Sequence, residues 1–286
     1  MVARAPFGSR MATAVSSRGP LCVGIDPHPE LLDAWGLARD ANGLEWFASR
    51  CVEALAGEVA VVKPQCAFFE AYGSKGIAVL ERVCATAMEA GALVIADAKR
   101  GDVGSTMSAY AEAFLGADAP LACDAVTVSP YLGFGALEPA VTAAERNGRG
   151  VIVLALTSNP EGRDLQHAAT ESGQSVAQSI VNAASERNAT HCAETGAQLG
   201  PVGVVVGATV GQSELELSEL RGTILAPGFG AQGAGIDDLR KVFGNALRDV
   251  LPTTSRAVLR AGPNAESLRA AALRTRDEIV AGTADH

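Results

Sequence analysis

Residues 97–102 read Asp-Ala-Lys-Arg-Gly-Asp and directly follow the apolar run Leu93–Ala96. Two acids and a lysine therefore crowd the end of a buried strand, where unpaired charge costs several kcal/mol. A strand-to-helix junction is also where barrel and open-sheet enzymes place their chemistry. Asp97, Lys99 and Asp102 direct a carboxylate, an ammonium and a carboxylate toward one neighbourhood. The flanking carboxylates favour a charged lysine, suited to donate a proton rather than to attack as a free amine. An internal salt bridge, with Asp102 capping a helix that starts near Ser105, would use the same groups structurally. Three of them together at one strand end favour chemistry.

A second constellation spans Ala226–Gly233, Ala-Pro-Gly-Phe-Gly-Ala-Gln-Gly. Its G-x-G-x-x-G spacing does not predict a dinucleotide fold, which needs a further strand–helix–strand unit where only one strand remains. A glycine-rich turn after a seventh barrel strand instead suits an oxyanion cradle of backbone N–H groups, with Gln232 as a side-chain donor. Ser255 and Arg256 open the expected eighth strand, and a guanidinium at that mouth completes a phosphate grip. Asp26 follows the first strand and Lys63 ends the second, in a chain with only four lysines against nineteen arginines. A compact ammonium is thus favoured at two successive strand ends, although either residue alone could be a structural ion pair. Ser158, after the fifth strand, can hydrogen-bond a substrate or simply serve a turn.

The elements that must position these groups are short apolar runs at 21–25, 59–62, 93–96, 125–128, 151–156, 202–206, 223–226 and 256–259. Helical stripes separate them: Leu44, Phe47, Cys51 and Leu55 form one, and Ile77, Leu80, Cys84 and Met88 another. Asn264 can cap a last helix that buries Leu268, Ala272 and Ile279. Doubly buried strands alternating with helices predict an α/β chain with a parallel sheet. Eight units in 286 residues, with no linker, predict a single (β/α)8 TIM barrel over 1–286. Residues 1–20 form a lead-in, and the long connection 157–201 carries a helix near 175–187 together with a loop whose tip is the expected mobile element.

Composition narrows the partners. A net charge of −9 and scattered arginines argue against a nucleic-acid surface. No stretch is long and apolar enough to span a membrane, and the first twenty residues lack a signal-like apolar core. Six cysteines without a C-x-x-C pair read as buried thiols of a reducing, cytoplasmic compartment. His191 beside Cys192 is the sole metal-like pairing among four histidines, so no metal site is expected.

With these pieces placed, the chain resembles the orotidine 5'-phosphate decarboxylase family across nearly all eight units. DAKRGDVGST, LAPGFGAQG and TSRAVLRAGP carry the likeness, supported by CVGIDPHP and SNPEGRD. The resemblance implies cofactor-free decarboxylation of orotidine monophosphate to uridine monophosphate by a homodimer with shared sites. It assigns Asp97 to the substrate carboxylate, Lys99 to protonation of C6, and Asp102 to the other subunit's site. Lys63 and Asp26 would hold the charge network and ribose hydroxyls, with Thr106 near the ribose across the interface. Ser158 would meet the pyrimidine, while Gln232, Arg256 and the backbone at Gly230 would hold the phosphate. Related barrels with the same Asp-x-Lys-x-x-Asp core instead use Mg2+ on sugar phosphates, as in hexulose-phosphate synthase or keto-gulonate-phosphate decarboxylase. A silent phosphate-binding scaffold is a third reading, and fold analogy alone does not decide among them.

Overall fold

A computed structural model describes residues 4–210, 215–230 and 233–284. Eight parallel strands close into a barrel in chain order: β1 (Cys22–Ile25), β2 (Val61–Pro64), β3 (Leu93–Arg100), β4 (Ala125–Val128), β5 (Gly150–Leu156), β6 (Val202–Val206), β7 (Ile224–Pro227) and β8 (Val250–Thr254). Closure comes from β1 against β8, through Cys22 beside Thr253 and Val23 beside Thr254. The expected (β/α)8 architecture is what forms.

Alternation along the strands splits the apolar residues into two cores. Val23, Val62, Val94, Val126, Val153, Val204 and Ile224 face outward and pack against the surrounding helices. Cys22, Val61, Ile95, Ala125, Ile152, Val205, Leu225 and Leu251 face inward and fill the barrel. The period of two along a strand forces this division. Each set reads as continuous burial because both faces are covered.

The outer helices follow their apolar stripes. Ala41–Leu55 buries Leu44, Phe47, Cys51 and Leu55, and the Asp40 side chain caps it by accepting from the N–H groups of Asn42 and Gly43. Ala265–Thr283 buries Leu268, Ala272 and Ile279, with Asn264 accepting from Ser267 N as the spacing predicts. The helix in the long connection runs further than expected, over Val176–Thr195, and ends at Gly196 in the left-handed conformation. The lead-in forms a helix, Phe7–Arg18, whose Phe7 and Met11 join the inward core and close the barrel's N-terminal end. Gly150 makes room for that plug, since a Cβ there would lie 2.5 Å from the Phe7 ring.

The eighth strand departs from expectation. The run 256–259 is a short helix, and the strand is Val-Leu-Pro-Thr-Thr at 250–254. A four-residue apolar run does not distinguish strand from buried helical turn, and Pro252 disguises the true strand. The proline is tolerated because β8 meets β1 only through Thr253 and Thr254, leaving Pro252 paired on the β7 side alone. Ser255 and Arg256 therefore follow β8 at its C-terminal end rather than opening it. β3 likewise continues through Arg100, so Asp97 and Lys99 are strand residues.

Candidate active site

All eight strands contribute to a cavity of about 240 Å³ at their C-terminal mouth. Its charged centre follows from the alternation already described. The inward positions Val61, Ile95 and Ala125 are followed two residues later by Lys63, Asp97 and Thr127, and Asp97 two later again by Lys99. The apolar filling of the barrel thus gives way to polar groups at its upper layer.

Asp97 is the hub. Its Oδ2 accepts from Lys63 Nζ at 2.7 Å and from Gln65 Nε2 at 3.0 Å. Oδ1 accepts from Lys99 Nζ at 2.5 Å and from Thr127 Oγ1 at 2.9 Å. Four donors thereby occupy the carboxylate's four acceptor positions. Burial would raise the Asp97 pKa, but the two ammonium groups outweigh it and hold the carboxyl well below its ordinary range. For Lys63, burial pulls down while Asp97 and Asp26 push up, and the net shift is upward. The array is a pair of fixed cations on one fixed anion.

The two lysines are not equivalent. Lys63's side chain is 7% exposed, whereas that of Lys99 is 46% exposed. Lys99 is thus the ammonium more open to the cavity, and Lys63 the one buried against Asp97. Lys99 has φ 49°, a left-handed conformation uncommon for a side chain of its size, within a register shift of β3 against β4. Thr127 Oγ1 accepts from the Lys99 backbone N–H at 3.0 Å, which fixes this bulge. Arg100 points elsewhere, pairing with Glu70 and lying 5.7 Å over the Tyr110 ring.

Opposite this array, Asp26, Thr254 and Arg256 line the same cavity. Asp26 Oδ1 and Thr254 Oγ1 are buried without a hydrogen-bond partner among the described residues, which leaves two acceptors for a ligand's hydroxyl groups. Arg256 is half-buried, and among the described residues its side chain makes no ion pair. It is a cation available to an anionic ligand. Gly228 and Phe229 line the rim, whereas the Gly230 N–H is spent on Ala234 O inside the turn. Gln232 lies outside the described residues.

Four expected residues do not line the cavity: Gly230, Asp102, Thr106 and Ser158. Asp102 accepts from its neighbour Val103 N and leaves the following helix, Gly104–Leu115, without a side-chain cap. Thr106 is exposed on that helix. Ser158 is exposed beside Gly207, and Thr157 takes the lining position. Gln65 and Thr127 were not anticipated. Both lie two residues beyond an inward-facing position, so the strand period carries the signal that would have found them.

No group of three or more potential metal ligands occurs among the described residues. The saturated Asp97 carboxylate is moreover a poor cation ligand, since both oxygens already face ammonium groups. All six cysteines are buried free thiols, and no helix among the described residues is long and apolar enough to cross a membrane.

Comparison with known proteins covers nearly the whole chain. Residues 19–271 match the sequence model of the orotidine 5'-phosphate decarboxylase / HUMPS family. The orotidine 5'-phosphate decarboxylase of Salinispora tropica is 57% identical over 267 residues, covering 93% of this chain and 94% of that protein. The enzyme of the same name from Streptomyces coelicolor is 55% identical, covering 96% and 97%. A crystal structure from Streptomyces avermitilis superposes with a TM-score of 0.95 at 55% identity, over 99% of this chain and 98% of that one.

Proposed function

Since the chain belongs to the orotidine 5'-phosphate decarboxylase / HUMPS family and is accordingly a carboxy-lyase, we propose that the barrel mouth converts orotidine 5'-phosphate to uridine monophosphate and CO2, with Lys99 as both charge stabiliser and proton donor. That reaction is the final step of pyrimidine nucleotide synthesis. The observation that carries the reading is the Lys63–Asp97–Lys99 array, which presents one exposed, braced ammonium to the cavity.

When the bond from C6 to the carboxylate breaks, CO2 leaves and the electron pair stays on C6. An ammonium already fixed beside that carbon stabilises the charge as it develops and needs no reorganisation. Lys99 then transfers one N–H proton to C6, giving the product, and recovers a proton from solvent. Asp97 faces the substrate carboxylate and holds Lys99 in place. Its engagement by four donors fits this cofactor-free route better than a metal-centred one.

The remaining assignments rest on chemistry of the same kind. Asp26, with Thr254 beside it, takes the ribose hydroxyls, and Lys63 holds the network. Ser158, next to the cavity-lining Thr157, meets the polar edge of the pyrimidine. Arg256, the loop backbone around Gly230 and Gln232 hold the phosphate. Asp102 and Thr106 lie outside their own cavity; Val103 beside Asp102 is exposed, as are Tyr131 and Leu132 in the segment after β4, whose Ser129 lies against Gly101. Polar residues turned away from their own cavity, with exposed apolar side chains in the same two loops, fit a homodimer in which each subunit lends Asp102 and Thr106 to its partner's site. The free thiols suit a cytoplasmic enzyme.

The test follows the ultraviolet absorbance of orotidine 5'-phosphate upon addition of metal-stripped protein. Rapid conversion to uridine monophosphate is expected. Turnover that appears only on restoring Mg2+ would overturn the cofactor-free route, and none under either condition would overturn the reaction.

A further inference from the structure

At the opposite end of the barrel, the segments preceding β4, β5 and β6 meet the N-terminal helix around a cavity of about 420 Å³. Its lining includes Arg4, Arg146, Arg149 and His191. The charge there is unbalanced. Asp124, 1% exposed, accepts from both Arg4 and Arg10. Glu145, the acid in the cavity wall, is already held by Arg187, which donates Nε at 2.7 Å and Nη2 at 2.6 Å. Arg149 is 4% exposed and contacts only a carbonyl, that of Cys123, while its Nε has no partner. Arg146 is exposed and has no ion pair among the described residues.

A buried guanidinium is costly unless paired, and the one carboxylate near Arg149, Asp124, is already hydrogen-bonded by Arg4 and Arg10. Burial and the neighbouring Arg4 outweigh the pull of the shared Asp124 and hold the Arg149 pKa below its ordinary value, so its charge is only partly compensated. His191 Nε2 is a second buried polar atom at the same wall with no partner. Two unsatisfied nitrogens and surplus arginine charge in one concavity define the complement of a small oxyanion.

We propose that this cavity is a second anion site, remote from the catalytic mouth, which binds a free oxyanion of the phosphate class between Arg149, Arg146 and Arg4. Because Arg4 precedes the Phe7–Arg18 helix that closes the barrel, the bound anion ties that plug to the strands and stabilises the folded chain by mass action.

Orthophosphate is titrated calorimetrically at constant ionic strength into an Arg256→Ala chain, which removes the mouth arginine from the measurement. One equivalent is expected to bind, and its affinity is expected to fall at least about tenfold on adding either Arg149→Met or Arg146→Gln. Arg146 is exposed and unpaired, so Arg146→Gln folds even if the buried substitution does not. Absence of binding in the Arg256→Ala chain would overturn the proposal. So would an affinity unchanged by Arg146→Gln.

Discussion

Thr127 donates its hydroxyl to Asp97 Oδ1 over 2.9 Å, joining β4 to β3 beside the Lys99 ammonium. Thr127 Oγ1 also accepts from the Lys99 backbone N–H, so one hydroxyl holds both the carboxylate and the bulge that displays the lysine. Thr127→Val keeps the shape and removes both interactions. We expect a kcat decrease with KM little changed, and a stability loss of about 1–3 kcal/mol from the stranded N–H. Steady-state kinetics and urea unfolding check this; a change in KM alone would assign Thr127 to binding.

Lys99→Ala should abolish turnover while leaving the fold intact, because its side chain is half exposed and its loss creates no core cavity. Circular dichroism and the absorbance assay separate the two effects. Mixing Lys99→Ala with Asp102→Ala subunits should restore about a quarter of wild-type activity, since random pairing leaves one intact site in half the dimers. No recovery after verified exchange would show that sites are not shared.

The Lys63–Asp97 pair sets a pH window for stability. Asp97's pKa is depressed, so its contribution is complete above the ordinary carboxylate value of 3.8 and is lost as pH falls through the lower folded value. Lys63's is raised, so its contribution is complete below the ordinary 10.5 and is lost as pH rises through the higher folded value. The unfolding free-energy difference between wild type and Lys63→Met/Asp97→Leu should therefore be flat from about pH 5 to about pH 9 and shift only outside that range. A step near neutrality would contradict the pairing. Asp97→Leu alone should cost roughly 3–5 kcal/mol by leaving Lys63 buried without its main counter-charge.

Arg256→Ala should reduce kcat/KM by the equivalent of about 2–5 kcal/mol, the cost of stranding a charged partner. Part of that loss should fall on kcat, because phosphate binding energy is spent on positioning the base. Saturation kinetics decide it; an effect confined to KM would limit Arg256 to uniform binding.

Much of this site is legible in the sequence because charge is conspicuous against apolar strands. Asp97, Lys99 and Lys63 announce themselves in that way, and Arg256 does so despite the misassigned strand before it. Gln65 and Thr127 escape because neutral polar residues near strand ends are common and only their inward register singles them out. That register depends on strand boundaries, and β2 begins two residues later than the apolar run that marks it. Pro252 hides β8 because its tolerance depends on which neighbour pairs at that height, a property of the closed barrel rather than of the run. Asp102 and Thr106 stand apart from the cavity, Asp102 in the turn after β3 and Thr106 exposed on the helix that follows.

Closure of β1 on β8 also has a temporal meaning. Asp26 and Arg256 line one cavity, yet they are separated by almost the whole chain and brought together by the pairing of Cys22 with Thr253. During synthesis Lys63 of β2 and Asp97 and Lys99 of β3 emerge early, long before the strand that seals the ring between β7 and β1. Contacts so distant in sequence are slow to form. A nascent chain therefore carries the Lys63–Asp97–Lys99 array before the cavity around it exists, and that cavity is complete only when the last strand has left the ribosome and docked.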